Sequence, residues 1–166
     1  MKKSVKQKGF SCQWKPIKLK PATVKGGFHG PRNWQSEAFK QLQDAQYTIL
    51  NAPMGSGKSW EMCLLSAHKL QQDPSLRCII AVPQTIIADG FKYAKLLLPP
   101  RNKKLSWCPR HDLCTDIPDE GTINAVIDFL HIPGTLLNDR TLLCTHATIV
   151  AVYKRLKKQK KLKRFN

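Results

Sequence analysis

A twelve-residue stretch with a glycine-rich loop constrains the fold of this chain more than any other feature. It runs from Thr48 to Ser59 and reads TILNAPMGSGKS. Its second part fits the phosphate-binding spacing G-x-x-x-x-G-K-[ST], with Ala52 in place of the first glycine. Residues 48–50 favour a strand, and the spacing of apolar residues after Lys58 favours a helix. The stretch therefore predicts a strand, a phosphate-binding loop and a helix in succession.

The residue types of this loop suit a phosphate chain and its metal ion. Glycines let several backbone N–H groups point at one phosphate, and the following helix N-terminus adds partial positive charge. Lys58 can reach the β and γ phosphates as the catalytic lysine, and the Ser59 hydroxyl can ligate Mg²⁺. The alternative is an ordinary strand–turn–helix with a pair of turn glycines. The predicted nucleotide-binding residues of the loop are Ala52, Gly55, Ser56, Gly57, Lys58 and Ser59.

Size and composition indicate one globular domain. The chain has 166 residues, of which 42% are hydrophobic, which is enough for a core. It contains no apolar run of membrane-spanning length and no apolar segment of the secretory-signal type. Scattered cysteines favour free thiols in a reducing compartment, so we expect a cytoplasmic protein. The six cysteines are Cys12, Cys63, Cys78, Cys108, Cys114 and Cys144.

The formal net charge of +17 is concentrated at the two ends of the chain. Residues 1–25 hold eight lysines, and residues 154–166 hold eight lysines or arginines, with no acidic residue in either segment. The part between them is almost neutral. Both ends could bind phosphate backbones without sequence preference, or could simply be solvated tails.

Strand-like and helical segments alternate along the chain, and this alternation predicts an α/β fold with a parallel sheet flanked by helices. The apolar run 77–82 predicts a strand buried on both faces. The predicted order is a basic arm over 1–27, a helix near Pro31, the loop, a helix over 58–72, a strand over 77–82, a helix over 86–98, a rim loop or insertion over 99–121, a helix over 122–131, a strand over 141–144 and a helix from Ala147.

Four of these segments, in order, resemble the first RecA-like lobe of superfamily 2 helicases, which are DEAD/DEAH-box and restriction-enzyme-type proteins. The four are Arg32-x-Trp34-Gln35-x-Glu37-Ala38, the loop Ala52–Ser59, the motif Ia-like segment Val82–Ala88 and the segment Leu142–Thr148. The resemblance implies a P-loop NTPase, an incomplete RecA-like ATP-binding lobe over residues 28–153.

The resemblance also implies roles for the residues around the loop. Gln35 and Arg32 would bind the adenine of ATP, although Gln35 also fits an exposed helix position. Turns after two strands would contact the backbone of a nucleic acid, DNA or RNA, although turn and helix-cap chemistry explains the same residues. The implied nucleic-acid residues are Pro83, Gln84, Thr85, Thr145 and His146.

The acidic motif of this family, which holds Mg²⁺ and positions the attacking water, has no good match. The one Asp-Glu pair, Asp119-Glu120, follows Pro118 with no apolar strand before it, so it predicts a polar turn ahead of a helix. We therefore expect a truncated or split helicase lobe, with residues 154–166 as a basic tail at the truncation point. It would bind ATP and rely on a missing C-terminal lobe or a partner chain for hydrolysis.

Two other classes of function fit parts of the sequence. One is a non-catalytic nucleic-acid-binding module that keeps a relic nucleotide site, and the other is a different P-loop NTPase such as a small kinase. Cys108, His111 and Cys114 could also form half of a zinc site, but no second ligand pair is evident, and free thiols in a proline-rich loop fit the sequence better.

Overall fold

The computed structural model describes residues 30–98, 103–131 and 134–158. The predicted arm over 1–27 and the last eight residues of the predicted tail lie outside the described residues. In chain order the elements are α1 (Asn33–Leu42), α2 (Lys58–Gln72), β1 (Cys78–Val82), α3 (Thr85–Lys92), β2 (Ala94–Leu98), β3 (Lys103–Trp107), β4 (His111–Leu113), α4 (Glu120–His131), a 3₁₀ turn (Asn138–Arg140), β5 (Thr141–Thr145) and α5 (His146–Lys158).

A three-stranded parallel sheet lies at the centre of the fold. Strand β5 is its middle strand and pairs in parallel with β1 on one side and β4 on the other. The register runs from Cys78 opposite Thr141 to Val82 opposite Thr145. The prediction of a mixed α/β fold with a parallel sheet flanked by helices is confirmed.

The two faces of this sheet are covered by different elements, which gives two cores. On one face Leu143 packs into a first core with α1, α2, α3 and the β2–β3 hairpin. On the other face Leu142 and Cys144 pack into a second core with α4 and α5. None of the helices in the described ranges is both long and apolar enough to cross a membrane.

Of the two helices predicted over 58–72 and 86–98, the structure contains the first in full and the second only in part. The helix predicted over 58–72 is confirmed, but the helix predicted over 86–98 is wrong beyond Lys92. There the chain turns into β2, which pairs antiparallel with β3. Ala94, Leu96 and Leu98 are buried in alternation, so the period of two set by the hairpin overrides the helical preference of this segment.

Residues 99–121, predicted to form a loop or insertion, contain regular strands. This stretch contains β3 and β4, and the indole of Trp107 at the end of β3 is fully buried. Its Nε1–H donates to the Phe91 carbonyl over 2.8 Å, which fixes the hairpin to the end of α3. The assignment of 99–121 to the rim, and the domain boundaries, stay predictions.

Two expectations about strands are wrong. Residues 48–50 form no strand, and the Ile49 side chain is 97% exposed. Strand β1 is buried on only one face, since Ile79 is 41% exposed and Ala81 is exposed. Within the described residues β1 pairs only with β5, so it is an edge strand of the sheet. No strand among those residues lies beyond it whose side chains would help to cover Ile79 and Ala81.

Arg140 connects the start of β5 to the end of α2. Its guanidinium is buried and donates to three backbone carbonyls, those of Leu70 at 2.7 Å, Asp73 at 3.0 Å and Leu76 at 3.2 Å. The last carbonyls of a helix have no partner inside the helix, so a side-chain donor there satisfies groups that burial would otherwise penalise. Gly134 makes room for this side chain, because a Cβ there would lie 2.5 Å from Arg140 Cγ.

Replacing Arg140 by alanine is expected to lower the free energy of unfolding by about 3 kcal/mol, because three carbonyls lose a charged donor. Urea unfolding followed by circular dichroism measures this. The matched control is Arg110→Ala, which removes an exposed guanidinium paired with Asp139 at 3.0 Å and should cost less than about 1 kcal/mol. Equal losses for the two variants would contradict a stabilising role for the Arg140 hydrogen bonds.

Candidate nucleotide-binding loop and rim

The glycine-rich loop adopts a backbone that only glycine takes up without strain at two positions. Gly55 has φ of +72° and Gly57 has φ of +94°, both in the left-handed region. Gly57 is also the N-cap of α2, so the helix begins at Lys58. The predicted loop residues therefore lie directly over the N-terminus of a fifteen-residue helix, where backbone N–H groups favour an anion.

The Lys58 ammonium is held inside this loop. Its Nζ donates to the Ala52 carbonyl at 2.5 Å and to the Pro53 carbonyl at 2.8 Å. Carbonyl partners orient the ammonium and leave its positive charge uncompensated. Lys58 therefore brings a full charge to the same place as the helix N-terminus.

Helix α1 fastens the other end of the loop. Arg32 Nη1 donates to the Ser56 carbonyl at 3.1 Å, and Gln35 Nε2 donates to the Gly57 carbonyl at 3.0 Å. Gln35 Oε1 accepts from the backbone N–H of Arg32 at 2.7 Å, and the Gln35 side chain is only 3% exposed. Both ends of the amide are occupied by backbone groups, so Gln35 is not the exposed helix residue of the alternative interpretation. The reading of adenine by Arg32 and Gln35 stays a prediction.

The two serines of the loop lie in different surroundings. Ser56 is buried, and within the described part of the chain its Oγ has no hydrogen-bond partner. Ser59 is partly buried against α3, where a Cβ on Gly90 would lie 3.3 Å from Ser59 Oγ. The loop thus contains an unsatisfied hydroxyl and a second hydroxyl one residue after the lysine.

The turns after β1 and β5 come together at one edge of the sheet. Val82 and Thr145 are register partners, so the residues that follow them are neighbours. Pro83, Gln84 and His146 are exposed there.

The threonines of this edge are bound into the fold. Thr145 is 1% exposed, donates its hydroxyl to the Thr115 carbonyl at 2.6 Å and accepts from the Thr148 N–H at 3.3 Å, which is N-cap geometry for α5. Thr85 donates to Asp116 Oδ2 at 3.3 Å. Thr145 therefore acts as the N-cap of α5. Contact between the residues of this edge and a nucleic acid stays a prediction.

The Asp119-Glu120 pair has structural partners. The Asp119 carboxylate accepts from the Thr122 N–H at 2.7 Å, and hydrogen bonds from the side chain and the backbone of Thr122 hold the pKa of that carboxyl below its usual value. Glu120 accepts from the guanidinium of Arg155 on α5. The pair begins α4, as the prediction of a polar turn ahead of a helix requires.

The possible half-site for zinc is not assembled. Among the described residues, no group of three or more His, Cys, Asp or Glu side chains lies close enough together to hold a metal ion. Burial, followed by the neighbouring Asp112, raises the pKa of the Cys114 thiol to about 12. The five cysteines in the described ranges are free, and Cys12 lies outside them.

Glu61, which the sequence did not single out, is the unexpected feature of this region. It lies one turn into α2, has no exposed surface, and neither carboxyl oxygen has a hydrogen-bond partner within the described residues. Burial raises its pKa to about 7. A glutamate in the first turn of a helix is ordinarily an exposed residue that favours the dipole, so composition and position alone give no signal of burial.

Replacing Gly57 by alanine is expected to destabilise the loop more than replacing Gly55. Both variants pay about 1–2 kcal/mol for a left-handed backbone. Only at position 57 does the new Cβ meet another group, Gln35 Nε2 at 2.9 Å, while nothing lies within 4 Å at position 55. Urea unfolding should show an additional loss of about 1 kcal/mol for Gly57→Ala, and equal losses would show that the Gln35 contact does not hold the loop.

Glu61 predicts a pH dependence of stability. Its pKa is raised from 4.5 in the unfolded chain to about 7 in the folded one, so the folded state binds more protons between these values. The free energy of unfolding should therefore fall as pH rises through this window, by up to about 3 kcal/mol.

The Glu61→Gln variant keeps the shape of the side chain and removes the titration, so it isolates this contribution. In metal-free buffer, the difference in unfolding free energy between variant and wild type should grow from pH 4.5 to pH 7 in favour of the variant. A constant difference would contradict the raised pKa.

Comparison with known proteins finds a distant relative. No family model matches the chain, and no solved structure matches it. It is 27% identical over 128 residues to the Bacillus subtilis (strain 168) protein named "Putative ATP-dependent helicase YeeB". The match covers 77% of this chain and 20% of that protein, so the chain spans about a fifth of the length of its relative. These findings show distant relatedness to a helicase-type protein and assign no specific superfamily.

Proposed function

We propose that this chain is the ATP-binding, RecA-like lobe of a nucleic-acid helicase or translocase of the P-loop type. The observation that carries the proposal is the loop itself, in which two left-handed glycines, a helix N-terminus and the Lys58 ammonium converge. The distant match to a protein named as an ATP-dependent helicase supports the same class.

The residues present fit a triphosphate. The left-handed backbone at Gly55 and Gly57 is the conformation that lets successive N–H groups face one anion. The Lys58 ammonium, bonded to two carbonyls, carries charge that a β or γ phosphate would compensate. The Ser56 hydroxyl, which is buried and has no partner among the described residues, offers a further donor.

The proposed roles follow the loop. Lys58 would bind the β and γ phosphates, Ser59 would ligate Mg²⁺, and Arg32 and Gln35 would lie beside the base. Bound Mg²⁺ would neutralise phosphate charge and polarise the terminal phosphoryl group. To read a base, Gln35 would have to exchange its present backbone partners for the nucleobase edge.

Hydrolysis needs a carboxylate that holds the metal and positions water. The carboxylates of Asp119 and Glu120 have structural partners instead. Asp119 caps α4 and Glu120 pairs with Arg155, both as described above. We therefore propose that this chain alone binds ATP and does not turn it over. A second lobe or partner chain would supply the missing groups.

The proposed nucleic-acid contacts lie on the edge formed by the ends of β1 and β5. Pro83, Gln84 and His146 are exposed there, and the polar side chains of Gln84 and His146 suit a sequence-independent contact with a sugar-phosphate backbone. The high positive charge of the chain favours the same partner.

The test is the binding of a fluorescent ATP analogue with Mg²⁺ to wild type, Lys58→Ala and Lys69→Ala. Loss of the Lys58 ammonium should weaken binding about 10- to 100-fold, because a charged hydrogen bond to phosphate is removed. Lys69 is the matched control, since it lies on the same helix and also donates to a loop carbonyl, that of Ala45 at 2.6 Å. Its replacement should leave ATP affinity unchanged.

Two results would contradict the proposal. If the wild type binds no ATP and still binds DNA in a salt-sensitive way, the chain is the non-catalytic nucleic-acid module with a relic site. If Lys58→Ala binds ATP as tightly as wild type, the loop is not the nucleotide site.

A further inference from the structure

Helix α5 presents one face to the core and another to solvent. Thr148, Val152 and Leu156 are buried, and Val152 and Leu156 pack into the second core. The outer face of α5 includes the exposed residues His146, Val150, Tyr153, Lys154 and Lys157. These positions recur every three or four residues, so they form a stripe about 17 Å long that begins at the rim of the sheet.

The positive charge of this stripe is not compensated by the fold. Neither Lys154 nor Lys157 forms an ion pair with any residue in the described ranges. Arg155, on the side of α5 that faces α4, is paired with Glu120. Arg155 therefore links α5 to α4, whereas Lys154 and Lys157 face solvent.

The outer face also exposes apolar groups between the charged ones. Tyr153 is 51% exposed and Val150 is 50% exposed. Lysines in the last turn are explained by their favourable interaction with the helix dipole alone, but that explanation does not account for an exposed aromatic ring next to them. An aromatic face flanked by lysines is the combination with which proteins hold unpaired bases and their phosphates.

We propose that the outer face of α5 binds single-stranded nucleic acid, with phosphates on Lys154 and Lys157 and one base stacked on Tyr153. The inference rests on the proposed function and extends it, because the stripe starts at His146 on the rim and continues away from the turns assigned there. Charge complementarity selects a polyanion, and the exposed ring selects a strand with accessible bases.

The experiment measures binding of the full chain to a fluorescein-labelled oligothymidylate over a salt series. The double variant Lys154→Gln, Lys157→Gln should reduce the slope of log affinity against log salt by about 1.4, since each phosphate contact to a single strand contributes about 0.7. The matched control, Lys40→Gln with Lys103→Gln, removes two exposed lysines from α1 and β3 and should leave the slope unchanged.

The tyrosine is tested separately. Tyr153→Ala should weaken binding about tenfold, and Tyr153→Phe should restore it, because stacking needs the ring and not the hydroxyl. Thermal unfolding of each variant shows whether the helix is intact. Binding of the ATP analogue, measured on the same samples, should not change in any α5 variant.

The outcomes separate the two proposals. An unchanged salt slope in the α5 double variant, or an equal loss in the control variant, overturns the inference whatever the result with ATP. Loss of binding to vesicles containing phosphatidylserine, with oligonucleotide binding unaffected, assigns the face to a membrane surface and also overturns it. Failure of the wild type to bind ATP overturns the proposed function. The role of α5 is then decided by the slopes of log affinity for the oligothymidylate against log salt.

Discussion

The burial of β5 on both faces is the constraint on which the rest of the structure depends. All five of its residues are buried, and its two faces belong to different cores. A strand in this position can contain only apolar side chains and polar ones that are satisfied internally. The Thr141 hydroxyl donates to the Leu137 carbonyl at 3.0 Å, and that of Thr145 donates to the Thr115 carbonyl. The two polar residues at its ends therefore meet the requirement that burial imposes.

The ends of β5 also determine where the functional candidates lie. At the start, Arg140 binds the last carbonyls of α2, whose opposite end carries the glycine loop. At the end, Thr145 caps α5, whose outer face is exposed. A single strand therefore positions both the helix beneath the candidate phosphate site and the helix with the uncompensated lysines. A change in the packing of β5 would move both.

The sequence predicted those elements whose signals are local. The extent of α2 follows from the glycine before Lys58 and from Asp73-Pro74 after it, and β5 follows from its continuous apolar run. The hairpin could not be found this way, because Ala94–Leu98 is rich in helix-forming residues and becomes a strand only through pairing with Lys103–Trp107. The burial of Glu61 and the partners of Gln35 depend on contacts with groups outside their own helices' sequence pattern, which no local signal specifies.

The attachment of α1 to the loop bears on how a phosphate could be bound there. The carbonyls of Ser56 and Gly57 accept from Arg32 and Gln35, and two earlier loop carbonyls accept from Lys58. Each bond fixes a peptide unit, and fixing the backbone of a free residue costs about 1–2 kcal/mol. A loop held in this way has already lost much of its conformational entropy on folding. The binding of an anion is therefore opposed by a smaller further loss of loop entropy. Gln35 Nε2 donates to the Gly57 carbonyl and Oε1 accepts from the Arg32 N–H, so the proposed recognition of a base would compete with loop rigidity for this one side chain.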